Sequence, residues 1–218
     1  MNKSQIIQNT IQFVKETLEG AEGGHDWFHI ERVYKNALLI SENEKVDSFI
    51  VQLGALLHDI ADAKFYDGDE SIGPKKARAF LKSQLVEEEV IKHVENIILF
   101  SSYKSSFDHN SHFSSPELNV IQDADRLDAI GAIGIARCFN YGGYKNRPLY
   151  DPKIPPNLNM NKEEYKKSSA PSINHFYEKL LLLKDKMNTK TGKSLATKRH
   201  LYMEKFLTTF FDEWKGLI

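Results

Sequence analysis

An apolar stretch that leads directly into a histidine and an aspartate constrains the fold of this chain more than any other feature. Residues 51–57 are apolar apart from one glutamine, and His58 and Asp59 follow before the apolar pair Ile60-Ala61. The large apolar side chains repeat with the spacing of one helix face, at Phe49, Leu53, Leu56, Leu57 and Ile60. Burying an imidazole and a carboxylate on such a helix is costly unless a cation satisfies both. The pattern therefore predicts a buried helix that carries a polar site.

Helical periodicity continues through most of the chain, and strand-like alternation is scarce. We predict helices at about 3–19, 26–43, 47–62, 72–84, 86–101, 116–140, 173–188 and 192–214. Gly20 closes the first helix, and Ser115-Pro116 has the composition of an N-cap followed by a first-turn proline. The expected fold class is all-α, in the form of a helical bundle.

The length of 218 residues fits a single domain, predicted to span 1–218. We place its core at about 22–140 and its C-terminal helices at about 173–214. Between them, residues 144–172 hold five prolines and predict a long loop, either an active-site cover or a mobile linker. The aromatic positions of the C-terminal helices predict packing in the core or in a homodimer.

The bulk composition identifies no partner, but it argues against a long nucleic acid and against a membrane. The formal net charge of -1 lacks the basic excess of a nucleic-acid-binding protein, so we expect no long nucleic acid as a partner. The single cysteine, Cys138, favours a reducing compartment. No apolar run approaches the roughly 20 residues that cross a bilayer. We expect a cytoplasmic protein without a membrane partner.

Four side chains in polar interruptions of apolar segments are the candidate metal ligands. His29 lies near the start of a predicted helix, His58 and Asp59 form the adjacent pair, and Asp125 lies among apolar residues further along. An unpaired carboxylate buried there would be expensive, so Asp125 needs a cation. The two nitrogens and two oxygens together form a ligand set for one divalent ion.

Each of these assignments has an alternative that the residues alone leave open. His25 is a rival to His29 as the first ligand. The pair at 58–59 could form a buried hydrogen bond without any ion. Asp125 could instead join a local ion-pair network with Arg126.

Further polar residues share helix faces with the candidate ligands. Arg32 follows His29 by three residues, so its guanidinium would lie beside the ion, where it suits a phosphate oxygen. Asp62 follows His58 by four residues, which places a third polar group on the same side of the helix. Asp128 lies one turn after the aspartate ligand and would be close to the same site.

The mixed nitrogen and oxygen ligands match a six-coordinate ion better than a closed structural zinc site. We expect one manganese ion, and nickel, cobalt, iron or magnesium would also fit. Open coordination positions would hold water, whose pKa is lowered enough to supply a hydroxide nucleophile at neutral pH, while the ion polarises a phosphoryl oxygen. The ligand set therefore predicts hydrolysis.

His29, the pair at 58–59 and Asp125, in an all-helical context, resemble the ligand pattern of the HD-domain metal-dependent phosphohydrolase superfamily. The likeness extends to longer stretches, at 56–65, 122–137, 141–143 and 174–180. These stretches look like one bacterial branch, whose characterised members resemble nucleoside triphosphate pyrophosphohydrolases. The resemblance covers nearly the whole chain.

The resemblance implies site roles for individual residues of this chain. The implied metal ligands are His29, His58, Asp59 and Asp125. The implied catalytic residues are Asp62, near the nucleophilic water, with Arg32 and Lys64. Substrate binding is assigned to Arg32, Lys64, Lys104 and Asp128. Some members of the superfamily hold a second metal through further histidines, and His93, His109 and His112 are left unassigned in favour of a single ion.

The predicted function is metal-dependent hydrolysis of a nucleotide, with pyrophosphate released from a nucleoside triphosphate. A phosphomonoesterase or a cyclic-nucleotide phosphodiesterase could use the same site. A different class is a non-catalytic nucleotide-sensing or partner-binding module that retains a structural metal. The expected partner is a small-molecule nucleotide, and a homodimer is left open.

Overall fold

The computed structural model of the chain describes residues 2–20, 26–61, 69, 71–101, 113–161, 164 and 168–218. Within these residues the regular secondary structure is helical and no strand occurs. The α-helices are α1 (Lys3–Thr17), α2 (Trp27–Ser41), α3 (Ser48–Leu57), α4 (Ile72–Ser83), α5 (Glu88–Ser101), α6 (Pro116–Asp128), α7 (Gly131–Tyr144), α8 (Asn174–Glu178) and α9 (Lys190–Trp214), and a 3-10 helix spans Leu180–Lys186. The predicted all-α class is confirmed. None of the described helices is both long and apolar enough to span a bilayer.

Contacts group the chain into two compact units, Met1–Asp125 and Arg126–Ile218. The first contains α1 to α5 and most of α6, and the second contains the last turn of α6 and the helices that follow. The division falls inside α6, directly after the candidate ligand Asp125. The single domain over 1–218 stays a prediction.

The first unit is built around α3, which packs against α1, α2 and α5. Most of its side chains are buried, because the apolar run leaves it almost no polar face. Gly54 permits a close approach between helices, since a Cβ atom there would lie only 2.5 Å from Cδ1 of Ile121 in α6. The absent side chain makes room for Ile121, which lies on the same helix as Asp125.

Side-chain caps begin the two helices that carry His29 and Asp125. At α2, the Asp26 carboxylate accepts a hydrogen bond of 3.0 Å from the backbone amide of His29. At α6, the Ser115 hydroxyl accepts one of 3.0 Å from the amide of Leu118. A cap of this kind satisfies an amide that has no partner inside the helix and stabilises it by about 1 kcal/mol. Both helix starts are therefore fixed locally by the sequence.

The helix predicted over 47–62 ends earlier than predicted. α3 closes at Leu57, and His58 and Asp59 lie in the turn that follows. The amide of Ile60 donates to the carbonyl of Leu57 at 3.2 Å, an i to i−3 bond that tightens the chain past the helix end. The polar pair therefore leaves the helix instead of lying along its side.

The single helix predicted over 116–140 is two helices, because the chain breaks between Asp128 and Gly131. Gly131 has a φ of 76°, a left-handed conformation that interrupts an α-helix and that glycine adopts without steric cost. The apolar periodicity continues on both sides of the break, which is why the pattern predicted one helix. α7 then runs to Tyr144, beyond the predicted end at residue 140.

In the second unit α7 packs against α9, and the 3-10 helix packs against α8 and α9. Phe176 is fully buried, and its ring stacks on that of Phe206 with centroids 5.8 Å apart. This confirms packing in the core for these aromatic positions of the C-terminal segment. The helix predicted over 173–188 is wrong in detail, because the short α8 gives way to the 3-10 helix after Glu178.

The proline-rich segment between α7 and α8 is tied to the second unit. The amide of Ser172 donates to the carbonyl of Pro148 at 2.9 Å, which closes the base of the loop. The ring of Tyr150 packs edge-on against Trp214 of α9 with centroids 5.1 Å apart. Residues 146–161 form no helix, as predicted for this loop.

The second unit contains a histidine that we expect to make its stability depend on pH. Burial, reinforced by the cations of Lys179 and Arg147, lowers the pKa of His175 from 6.5 to about 3. Between these two values the unfolded chain binds a proton that the folded chain does not, so the free energy of unfolding falls as pH drops below 6.5. From about pH 7.5 to about pH 5 the expected loss is about 1 to 2 kcal/mol, measured by urea unfolding.

The matched variant for this prediction is His175→Gln, which keeps a polar side chain of similar size but does not titrate. Its unfolding free energy should change less than that of the wild type over the same pH interval. An identical pH dependence in the two proteins would contradict the neutral, buried state of His175.

Candidate metal centre

His29 lies in the first turn of α2 and contributes its imidazole to the candidate centre. Its side chain is buried, with the residue only 3% exposed. Because Asp26 caps the helix through the His29 amide, the backbone under the imidazole is fixed. The Nε2 atom lies 3.5 Å from Oδ1 of Asp125, which is close enough for one ion to contact both atoms.

His58 enters the centre from the turn after α3 and is 8% exposed. Its Nδ1 atom lies 2.9 Å from the carbonyl oxygen of Ala55. A carbonyl can only accept a hydrogen bond, so Nδ1 must be the protonated nitrogen and Nε2 keeps its lone pair. This is the arrangement that orients histidine ligands in metal sites.

His29, His58 and Asp125 form one compact group of ligand atoms. One ligand atom from each side chain lies within 4.8 Å of those of the other two. The two imidazole rings have centroids 5.6 Å apart and planes inclined at 64°. The Asp125 side chain is 38% exposed, so the group opens to solvent on the carboxylate side. Two imidazole nitrogens and a carboxylate oxygen, with an open side, fit a divalent cation with free coordination positions.

Asp59 is not a member of this group of ligand atoms among the residues that the structure describes. The prediction placed it on the same helix as His58, with both side chains converging on one ion. α3 ends at Leu57, so His58 is its C-cap and Asp59 lies in the turn that follows. Asp59 is half-buried and interacts with other groups. As a fourth ligand it stays a prediction.

The orientation of α6 corrects the expected burial of Asp125. On this helix Asp123 is fully buried, whereas the Asp125 side chain is partly exposed and faces His29. Two residues along a helix correspond to a rotation of about 200°, so the two carboxylates lie on nearly opposite sides. The expectation of a deeply buried Asp125 was therefore wrong, because its side chain is partly exposed and faces His29. Its role as a metal ligand stays a prediction.

Asn36 is a positioning residue that the sequence did not reveal. It lies on α2, seven residues after His29, and is buried. Its Nδ2 donates to the carbonyl of Ala124, the residue before Asp125, at 3.3 Å. The hydrogen bond ties the helix of one ligand to the helix of another. A polar residue on the otherwise apolar face of Val33, Ala37 and Ile40 was the signal that could have identified it.

Asp128 has a structural partner in the second unit. Its side chain is buried, with the residue 1% exposed, and one carboxylate oxygen lies 2.5 Å from Nη1 of Arg137. Arg137 also donates to the backbone carbonyl of Asp128 at 3.2 Å. The buried carboxylate is therefore paired with Arg137, and its predicted contact with substrate stays a prediction.

Of the remaining predicted catalytic and phosphate-binding residues, the structure describes Arg32 but not the others. Arg32 lies on α2, one turn after His29, and is half-buried with interactions of its own. Three residues predicted for catalysis or phosphate binding fall outside the described residues: Asp62, Lys64 and Lys104. Three histidines also fall outside the described residues: His25, the alternative to His29, and the unassigned His109 and His112. All of their roles stay predictions.

Three other side chains outside the group of candidate ligands have surroundings of their own. His93 lies 2.9 Å from the Ser115 hydroxyl and packs edge-on against Phe113, as a packed histidine would. Arg126, the alternative partner for Asp125, donates to the carbonyl of Lys186 at 2.7 Å. Burial raises the pKa of Cys138 to about 12, so it supplies no thiolate near neutral pH.

Two histidines and an aspartate, from α2, the turn after α3 and α6, meet in a helical fold and define the class of helical proteins with a candidate metal centre. The HD domain family model matches residues 27–130, a range that includes every candidate ligand. The curated protein YpgQ of Bacillus subtilis, described as uncharacterized, is 36% identical over 209 residues, covering 94% of this chain and 92% of YpgQ.

Solved structures of other proteins are also similar to this chain over nearly its whole length. An HD-superfamily hydrolase from Bacillus thuringiensis has 47% identity and a TM-score of 0.79, covering 98% of this chain and 99% of its own. YpgQ of Bacillus subtilis in complex with ADP has 33% identity and a TM-score of 0.73, covering 98% of this chain and 97% of that one. The chain belongs to the HD-domain phosphohydrolase superfamily.

Proposed function

We propose that this chain is a metal-dependent phosphohydrolase that converts a nucleoside triphosphate and water into a nucleoside monophosphate and pyrophosphate. The observation that supports it most is the convergence of His29, His58 and Asp125, with ligand atoms within 4.8 Å of one another. The ligand chemistry of this group matches a divalent cation, and a cation held there would activate water for hydrolysis.

His29, His58 and Asp125 would hold the ion, with Asp59 as the predicted fourth ligand. We propose manganese, with nickel, cobalt, iron and magnesium as ions of compatible ligand preference. When bound, such an ion lowers the pKa of a neighbouring water and polarises a phosphoryl oxygen. The hydrogen bond from Nδ1 of His58 to the Ala55 carbonyl leaves Nε2 as the nitrogen that would face the ion.

The other site residues act on the water and on the phosphates in this proposal. Asp62 accepts the proton of the attacking water or orients that water. Arg32, Lys64 and Lys104 neutralise the charge that develops on the phosphate oxygens. A guanidinium one turn after His29 is placed for this role, because residues three apart on a helix are neighbours.

Support for a nucleotide as substrate comes from the ADP complex of Bacillus subtilis YpgQ, a relative that matches this chain over nearly its full length. A diphosphate nucleotide carries the base, the sugar and the phosphate chain of the proposed substrate. The net charge of -1 over the whole chain agrees with a small ligand rather than a long nucleic acid.

The experiment is a metal-reconstitution assay on purified protein. The protein is stripped of metal, reloaded with Mn, Co, Ni, Mg or Zn, and incubated with nucleoside tri-, di-, mono- and cyclic phosphates. We expect the largest rate with a triphosphate in the presence of manganese, and pyrophosphate as the inorganic product. Orthophosphate from a monophosphate, or opening of a cyclic phosphate, would replace the proposal with a phosphomonoesterase or phosphodiesterase. Nucleotide binding without turnover under every metal would identify a sensing module.

A further inference from the structure

The two adjacent aromatic residues at the start of α2 have different surroundings. Trp27 packs against the core of the first unit, and Nζ of Lys15 lies 4.7 Å from the centroid of its ring. Phe28 is 63% exposed. Within the part of the chain that the structure describes, its ring meets no other aromatic ring. The fold therefore uses Trp27 and leaves Phe28 available for another contact.

Phe28 lies beside the metal centre. It directly precedes His29, whose imidazole is buried in the group of ligands. Adjacent helix positions differ by about 100°, so Phe28 lies at the flank of that imidazole. Arg32 follows by four residues and is therefore the neighbour of Phe28 on the helix surface, about 6 Å away between Cβ atoms.

The group of candidate ligands is also open to solvent on one side. The Asp125 side chain is 38% exposed although His29 and His58 are buried, so the group faces solvent at the carboxylate. The start of α2 carries an exposed aromatic ring, a guanidinium and one of the candidate metal ligands. These three groups match the base and the phosphates of one nucleotide. A base stacks on the ring, and phosphate oxygens contact the guanidinium and the ion.

We propose that Phe28 binds the base of the nucleotide by stacking, which makes it a substrate-binding residue; this inference rests on the proposed function. Stacking on an aromatic ring tolerates every base, because each has a π face, and it favours purines because of their larger area. The chain should therefore accept several bases with a modest preference for purine triphosphates. The phosphates should be recognised independently of Phe28.

The test compares Phe28→Ala with the wild type on a purine triphosphate, a pyrimidine triphosphate and inorganic tripolyphosphate, which has no base. We expect the KM for the purine triphosphate to rise about tenfold in Phe28→Ala, with kcat close to that of the wild type. The purine preference should shrink, and tripolyphosphate should be unaffected. Phe28→Tyr, which keeps the ring, should restore the wild-type KM.

Leu39→Ala is the matched control, because it also truncates an exposed apolar side chain of α2. It should leave every KM unchanged. The melting temperature of Phe28→Ala should match that of the wild type, since the ring is outside the core.

Three results would overturn the inference. A KM for the purine triphosphate equal to that of the wild type would remove the stacking role. An equal rise in KM for tripolyphosphate would show that Phe28 shapes the metal centre and not base binding. A lower oligomeric mass in Phe28→Ala, with unchanged KM, would assign the ring to a contact between two copies.

Failure of the proposed function is distinguishable from these results. If the wild type hydrolyses no substrate, the same variants are compared by calorimetric binding of a purine triphosphate and of tripolyphosphate. Weaker nucleotide binding by Phe28→Ala, with tripolyphosphate unchanged, would still support stacking in a sensing module. A wild type that binds neither compound would overturn both proposals.

Discussion

Replacing Asp125 with asparagine should lower nucleotide hydrolysis by at least about 1000-fold and abolish tight binding of manganese. In the described part of the centre, Asp125 is the carboxylate that joins the two imidazoles, so it supplies the negative charge. Asparagine has nearly the same shape but a neutral amide, and its oxygen is a far weaker ligand for a divalent ion. The fold should be retained, because the side chain is partly exposed and lies outside the core. Free Mn²⁺ is measured by electron paramagnetic resonance, alongside the rate of pyrophosphate release.

Asp185→Asn is the matched control for this prediction, because it makes the same chemical change at an exposed position in the 3-10 helix. It should bind manganese and hydrolyse nucleotide as the wild type does. Wild-type manganese binding and turnover in Asp125→Asn would mean that the convergence with His29 and His58 has no role in catalysis.

The same two measurements on Asp59→Ala test the fourth ligand. If Asp59 binds the ion, manganese binding and hydrolysis are both lost, as in Asp125→Asn. Wild-type activity in Asp59→Ala would contradict the mechanism expected from the sequence. It would also show that three ligands are sufficient, in agreement with the group that the described residues form.

The sequence predicted the fold class and three converging ligands because both depend on local patterns. Apolar residues at helical spacing identify buried helices without knowledge of their partners. A histidine or an aspartate that interrupts such a pattern has a limited choice of roles, since burial without a partner is costly. His29 and His58 are buried and were recognisable for this reason, whereas Asp125 is partly exposed and faces His29.

Rotations and contacts between helices were not predictable in the same way. Whether Asp123 or Asp125 faces the site depends on how α6 is rotated against α3, and the contact of Ile121 with Gly54 lies on that interface. The hydrogen bond from Asn36 to the Ala124 carbonyl joins residues 88 positions apart in sequence. No periodicity within one helix contains information of this kind.

The break between α6 and α7 was missed for a different physical reason, and it leads to the largest expected effect on stability. Gly134→Ala should lower the free energy of unfolding by about 3 kcal/mol, measured by urea unfolding. A Cβ atom at residue 134 would lie 2.2 Å from the backbone carbonyl oxygen of Ala129. A carbonyl in the tight turn around Gly131 cannot move aside as a flexible side chain could, so the turn itself must distort.

Gly143→Ala is the matched control, because residue 143 lies in the same helix and a Cβ atom there would meet nothing within 4 Å. Alanine has a higher helix propensity than glycine, so this variant should be more stable by about 0.5 kcal/mol. If the same substitution changed the free energy of unfolding in opposite directions at two positions of α7, the geometry of the break, and not the number of glycines, would determine stability. If both variants were stabilised, α7 could not begin against the Ala129 carbonyl, and the uninterrupted helix predicted over 116–140 would have to be reconsidered.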